Sequence, residues 1–225
     1  KIRIIGPNSL GIMNPVRGLN AAYAAAIARK GTVGFISQSG AVSASILDWS
    51  LQVKTGFSAF VSFGAMVDVN WSDIIYYLGS DPNTRSILIY MESLGNARSF
   101  LSAAREVALT KPIIVLKTDQ TGKGALAIRN SAYLDTSDTA DDEVLSAALL
   151  RSGVLRVDSI DTLFSMADVL GKQPRPKGPR LTIISNATGP AVLATDALVD
   201  AGGALAQLSD ATMAALDATL PSYWN

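Results

Sequence analysis

The near-continuous apolar run Ile87-Leu88-Ile89-Tyr90-Met91 constrains the fold of this chain more than any other stretch. A half-exposed strand alternates apolar and polar side chains. A short run without alternation has to be covered on both faces, which is the condition of a central strand in a parallel sheet. The flanking patterns supply the cover. Trp71 to Leu78 reads as a helix closed by the turn Asp81-Pro82-Asn83, Asn96 to Leu109 as a second helix, and Ile113 to Leu116, introduced by Lys111-Pro112, as the next strand. Further out lie a strand at Phe57 to Phe63 ending at Gly64, a helix at Glu143 to Ser152, a strand at Val154 to Val157 and a helix at Ile160 to Leu170. This alternation predicts a doubly wound α/β sheet, in which ligands gather beyond the carboxyl ends of the strands. Ser37, Gly64, Glu92 and Lys117 all fall at such ends.

The stretch Val33 to Val42 joins the opening strand to the first helix through Ser37-Gln38-Ser39-Gly40. Ala41 opens the helix, whose apolar positions Val42, Ile46 and Trp49 recur at helical spacing and which runs to about Lys54, with Gly56 as its stop. Ser39 can cap it and Gly40 lets a backbone or ligand approach, so the free N–H groups of the first turn form a place for a phosphate. The same residues also suit an ordinary capped turn. Gly6-Pro7-Asn8-Ser9-Leu10-Gly11, after the strand-like Ile2 to Ile5, specifies a loop where backbone can lie against a ligand, or a plain turn. Residues 12–31 carry no clear period.

Composition removes several chemistries. The chain has 225 residues, 19 lysines and arginines against 19 aspartates and glutamates, and neither cysteine nor histidine. Balanced charge argues against a nucleic-acid partner. Without cysteine there is no disulfide framework and no thiolate metal site, in keeping with a reducing cytoplasm. Without histidine there is no Ser-His-Asp relay, no imidazole-held metal and no phosphohistidine within this chain. No apolar run approaches the ~20 residues that span a bilayer, and no signal-peptide layout opens the chain. A soluble, cytoplasmic protein away from membranes is expected, as part of a longer polypeptide.

Thr118 to Asp142 is the least regular part, and a loop of that length in a compact domain is usually functional. The proline-rich stretch from Lys172 to Pro179 reads as a linker. Beyond it the opening pattern recurs: strand Leu181 to Ser185, turn Asn186-Ala187-Thr188-Gly189, Pro190 at the first helical position and a helix from Ala191 to Val199. Two such helix N-termini could address one anion, or each could be an unoccupied cap.

Taken together these stretches resemble the NDP-forming acyl-CoA synthetases and the α subunit of succinyl-CoA synthetase. Ile5 to Gly11 looks like the exit of that family's CoA-binding domain, Gly34 to Val42 like its first phosphate-facing helix, Met91 to Ala97 like the segment whose glutamate orients the catalytic histidine, and Ser185 to Pro190 like its second phosphate-facing helix. The resemblance implies a flavodoxin-like doubly wound parallel sheet flanked by fragments of neighbouring α/β domains. Residues 1–25 would end a CoA-binding Rossmann domain, 26–171 form the succinyl-CoA-ligase-like domain, 172–179 the linker, and 180–225 begin a second flavodoxin-like CoA-ligase domain. It further implies phosphate binding by Ser37, Gln38, Ser39, Gly40, Asn186 and Gly189, CoA binding by Gly6, Pro7 and Asn8, and an orienting role for Glu92. CoA or acyl-CoA is the implied cofactor, with ATP or ADP and magnesium held only by an ATP-grasp domain outside this sequence.

One departure stands out. The family's Ser-His-Thr-Gly corresponds here to Arg129-Asn130-Ser131-Ala132, so Asn130 stands where the nucleophilic imidazole should be. An amide has no comparable nitrogen. Similar loss occurs in synthetase-like regions fused to GNAT acetyltransferases in bacterial protein lysine acetyltransferases. The expectation is therefore a region that keeps acyl-CoA and phosphate binding, or regulates a fused acetyltransferase, without phosphoryl relay. The alternatives are a working ADP-forming acid–thiol ligase with a nucleophile from another segment or subunit, and an FMN-binding flavodoxin-like domain.

Overall fold

The apolar run sits at the centre of a sheet. The computed structural model describes residues 2–117, 142–173 and 178–221, and the chain divides into two compact units, Lys1–Gln173 and Pro174–Asn225. The described elements of the first are β1 (Gly11–Asn14), β2 (Leu19–Ala22), β3 (Lys30–Ser37), α1 (Gly40–Val53), β4 (Phe57–Ser62), α2 (Trp71–Ser80), β5 (Ser86–Met91), α3 (Ala97–Ala108), β6 (Ile113–Lys117), α4 (Asp142–Arg151), β7 (Val154–Val157) and α5 (Ile160–Lys172). They form a seven-stranded sheet in the order β2-β1-β4-β3-β5-β6-β7.

From β4 to β7 the strands are parallel. Counted from β3 they run 2-1-3-4-5, the flavodoxin-like order, so the chain leaves β3 to one side and returns to the other. The switch point lies between β3 and β5. Alternate side chains of the central strands feed two cores. Ile36, Ile87, Ile89, Met91, Ile113 and Val115 pack with α2, α3 and α4. Phe35, Leu88, Ile114 and Leu116 pack with Phe57 and Phe60 against Ile46 and Leu47 of α1 and Leu163 and Phe164 of α5. Each fully buried large side chain stabilises the fold by roughly 1.5–3 kcal/mol, which is why the uninterrupted run belongs here and nowhere on the surface.

In the first unit two expectations differ from the observed elements. The unpatterned stretch after Gly11 holds the hairpin β1–β2, which adds antiparallel to β4 through Gly11↔Ser62, Ile12↔Val61 and Met13↔Phe60. Residues 11–22, placed by the resemblance at the end of a preceding domain, are thus edge strands of the same sheet. Ile2 to Ile5 is not a ladder strand. Its place along the 64–69 loop is held by Val69 N–H to Ile4 O (3.2 Å) and by Arg3, which pairs with Asp68 (3.0 Å) and Asp73 (3.2 Å).

The far end of α2 is closed electrostatically. Lys111 Nζ donates to the carbonyls of Leu78 (2.8 Å) and Asp81 (2.6 Å), a cation on the negative end of the helix. Partial burial pushes the Asp81 carboxyl up, but hydrogen bonds from Thr84 and Asn83 and the charge of Lys111 outweigh it and leave it below its ordinary value. A carboxylate depressed on folding contributes stability that is complete above its unfolded pKa and lost as pH falls through the folded one. Asp81→Asn is accordingly expected to lower stability at pH 7 by about 1 kcal/mol or less, since solvent reaches this carboxylate, with the difference from the unsubstituted protein closing below pH 4 in urea titrations.

The second unit comprises β8 (Arg180–Leu181), α6 (Thr188–Asp200), β9 (Ala204–Leu205) and α7 (Asp210–Asp217), with β8 and β9 parallel. The expected strand to Ser185 stops at Leu181, because its described partner β9 is itself only two residues long. Pro190 is the third residue of α6, not the first. Among the described residues no helix is long and apolar enough to cross a membrane.

Candidate functional site at the switch point

The carboxyl end of β3 turns on Ser37. Fully buried, its Oγ donates to the Ser39 carbonyl (3.0 Å) and accepts from the Ser39 N–H (3.1 Å), folding the chain tightly enough for a helix to start at Gly40. Ser39 is the N-cap. Its Oγ accepts from Val42 N–H (3.3 Å) and its carbonyl from Ser43 N–H (3.0 Å). The two amides in between, Gly40 and Ala41, meet no acceptor among the described residues. These are the open donors of the loop, at the positive end of the α1 dipole. The Ser39 amide is already taken by Ser37.

Beside them stands the turn after β5. Gln38 Oε1 accepts from the N–H groups of Glu92 (2.6 Å) and Ser93 (2.8 Å), and Gln38 Nε2 donates to Ser93 Oγ (2.8 Å). Trp71 Nε1 donates to the Ser93 carbonyl (3.2 Å). Burial and the neighbouring Glu92 carboxylate push the Tyr90 phenol up, and the Tyr90 ring packs in the core on the α1 side of the sheet.

The loop containing Gly6, Pro7 and Asn8 closes the third side. Leu10 N–H donates to Ser62 Oγ at the end of β4 (3.0 Å), and Ala65 N–H and Val67 N–H donate to Pro7 O (3.1 Å) and Gly6 O (3.3 Å). A Cβ placed on Gly40 would lie 3.5 Å from Leu10 N, so this loop touches the start of α1. Ser37, Gln38, Ser39, Gly40, Glu92, Gly6, Pro7 and Asn8 therefore gather at the carboxyl ends of β3, β4 and β5. Gly64, expected at a strand end, and Ala41, expected to open the helix, join them, as do Trp71 and Ser93, which the sequence did not mark as site residues. Of the last two, Trp71 carries a local signal, as the first residue after the cap of Asn70-Trp71-Ser72-Asp73.

The second unit repeats the motif by itself. Ser185 Oγ donates to Ala187 O (2.8 Å) and accepts from Ala187 N–H (3.2 Å), as Ser37 does with Ser39. Thr188 and Gly189 are the first two residues of α6, and their amides meet no acceptor among the described residues; Asn186 lies in the exposed turn before them. Ala187 offers no side-chain cap, and Pro190, at the position such a cap would serve, has no N–H to satisfy. Asn130 lies outside the described residues. A groove of about 630 Å³, lined by Lys30, Trp49, Lys54, Asp161 and Phe164 among others, opens at the amino ends of β3 and β4 and shares no residue with the crevice.

Residues 30–170 match the family described as the succinyl-CoA ligase like flavodoxin domain. The chain belongs to this family. The chain is 40% identical over 220 residues to the acetate–CoA ligase [ADP-forming] II subunit alpha of Pyrococcus furiosus, covering 98% of this chain and 47% of that protein. It is 36% identical over 225 residues to the acetate–CoA ligase [ADP-forming] I of Archaeoglobus fulgidus, covering 100% of this chain and 32% of that one. Among solved structures, the dinucleotide-forming acetyl-coenzyme A synthetase 1 of Ca. Korarchaeum cryptofilum in complex with phosphate and ADP superposes with a TM-score of 0.89 at 30% identity, covering 100% of this chain and 48% of that chain. The chain thus spans less than half the length of these relatives.

Proposed function

We propose that this chain is the CoA-ligase-like part of an ADP-forming acyl-CoA synthetase-type protein, that its switch-point crevice binds phosphate and the reacting end of an acyl-CoA, and that it carries no phosphohistidine relay. The observation that carries the reading is the pair of open amides at Gly40 and Ala41 in a chain with no histidine. Unpaired donors at the positive end of a helix suit an anion, so the residues present fit phosphate. The loop of Gly6, Pro7 and Asn8, packed against that helix start, would receive the CoA side of the ligand. Residues 26–171 act here as the ligase-like domain and 180–225 as the start of a second one. An ATP-grasp domain, and in the regulatory form of this reading an acetyltransferase domain, belong to the longer protein. The relatives named as ADP-forming acetate–CoA ligases support a small carboxylic acid as the acyl group.

In this reading the chain binds and orients but does not accept phosphoryl. Asn130 offers an amide whose lone pair is delocalised into its carbonyl, and no imidazole stands in for it. The full-length protein incubated with γ-labelled ATP and magnesium is expected to show no acid-labile, base-stable phosphate in this region. Asn130→His is expected to acquire label poorly, and better when combined with Ala132→Gly, because the family's glycine at that place allows backbone conformations that alanine resists. Strong labelling of the unsubstituted protein would identify a nucleophile elsewhere and favour a working ligase.

A further inference from the structure

Gln38, placed by its motif among the phosphate ligands, spends its oxygen and one N–H on the turn after β5 and leaves only an N–H that faces the Met66 sulfur. A primary amide offers two lone pairs and two N–H donors. Both lone pairs are engaged by the Glu92 and Ser93 amides, at 2.6 and 2.8 Å. On the nitrogen side, Nε2 donates to Ser93 Oγ at 2.8 Å and lies 3.9 Å from the Met66 sulfur. The residue is 8% exposed, and its backbone N–H donates to Tyr90 O. One side chain thus ties the loop after β3 to the turn after β5 across the switch point, and Trp71 grips the same turn from α2.

We propose that Gln38 is a positioning residue and not a ligand: it sets the gap between the start of α1 and the Glu92–Ser93 turn, so that the Gly40 and Ala41 amides open onto a crevice of fixed width. This rests on reading the crevice as a phosphate site. The Glu92 and Ser93 amides lie past the end of β5 and take their acceptor from Gln38. Without it, two partly buried N–H groups need new partners, and the turn opens toward water and carries Glu92 with it. Specificity for the anion then depends on a residue that does not touch it.

The test uses the full-length protein, inorganic phosphate as the probe, and amide hydrogen exchange at Glu92 and Ser93 as a separate readout. Gln38→Met keeps the length of the side chain and removes the acceptor. It is expected to speed exchange of those two amides at least ~10-fold relative to their neighbours in β5 and to weaken phosphate binding about tenfold, the scale of one hydrogen bond to a partly buried group. Gln38→Glu retains an oxygen able to accept both amides and is expected to keep them protected. Lost affinity with unchanged protection in Gln38→Met would mark a ligand and overturn the proposal, as would unchanged affinity. Where Gln38→Met does not fold, loss of protection at both amides in Gln38→Glu overturns it instead. Failure of the unsubstituted protein to bind phosphate overturns the reading of the crevice and this role with it, and the exchange data separate that failure from a failure of the Gln38 contact alone.

Discussion

Replacing Gly64 by alanine is expected to destabilise the protein by about 3 kcal/mol and to remove anion binding at the switch point. Gly64 has φ +58°, and a Cβ there would lie 2.1 Å from Pro7 O and 2.3 Å from Asn8 O. Those are backbone atoms, with no flexible end to swing aside. The left-handed conformation costs an alanine roughly 1–2 kcal/mol by itself. Relief of the clash has to push the Gly6 to Leu10 loop off the end of β4, breaking the Ala65 N–H to Pro7 O and Leu10 N–H to Ser62 Oγ bonds. Each is worth about 1 kcal/mol. Gly18 provides the control: its φ is +72° with nothing within 4 Å of a Cβ, so Gly18→Ala is expected to cost only the conformational part, about 1 kcal/mol, and to spare binding. Urea unfolding of both variants and a phosphate titration of each would check this, and equal losses in the two would show that the loop does not depend on Gly64.

Trp71→Ala is expected to cost about 3–5 kcal/mol. The indole is 2% exposed and meets Phe63 edge-on at 4.6 Å and Phe100 at 6.3 Å, in the core beneath α2 and α3. No neighbouring side chain can fill a space of that size. Trp71→Phe separates the two duties of the residue. It keeps most of the aromatic packing and loses the Nε1 donor to Ser93 O, so stability is expected to fall by about 1 kcal/mol while phosphate affinity falls in step with the loosened turn. Chemical denaturation measured beside phosphate binding distinguishes them. A phenylalanine variant with intact affinity would show that Trp71 serves the core alone.

Much of this architecture is legible in the residues, because burial on both faces leaves a mark that short-range pattern can detect. Ile87, Leu88, Ile89 and Met91 are all fully buried, and the strand-end placement of Ser37 and Glu92 follows from them. The hairpin β1–β2 escaped for the opposite reason. Each strand has four residues, too few for an alternation to register, and the partner that orders β1 lies in β4, about fifty residues further on. The strand–loop–helix pattern locates an anion-sized turn but not which of its atoms face inward. Ser37 and Gln38 have the chemistry of ligands, and their hydrogen bonds are consumed in shaping the turn and holding its neighbour. The donors left over among the described residues belong to Gly40 and Ala41, whose side chains carry no polar signal at all. The helix α6 begins two residues before Pro190, the start its pattern predicts, because the turn before it is closed by Ser185 Oγ and not by a cap at Ala187.

The most direct measurement of the central claim is a titration of the full-length protein, selectively labelled with ¹⁵N at glycine, alanine and serine, with inorganic phosphate. The amide resonances of Gly40 and Ala41 are expected to move first and furthest, with those of Ser39 and Ser93 following weakly, because the first two are the open donors and the others are held internally. Saturating shifts elsewhere in the protein, with Gly40 and Ala41 unmoved, would contradict the assignment of the switch-point crevice as the anion site.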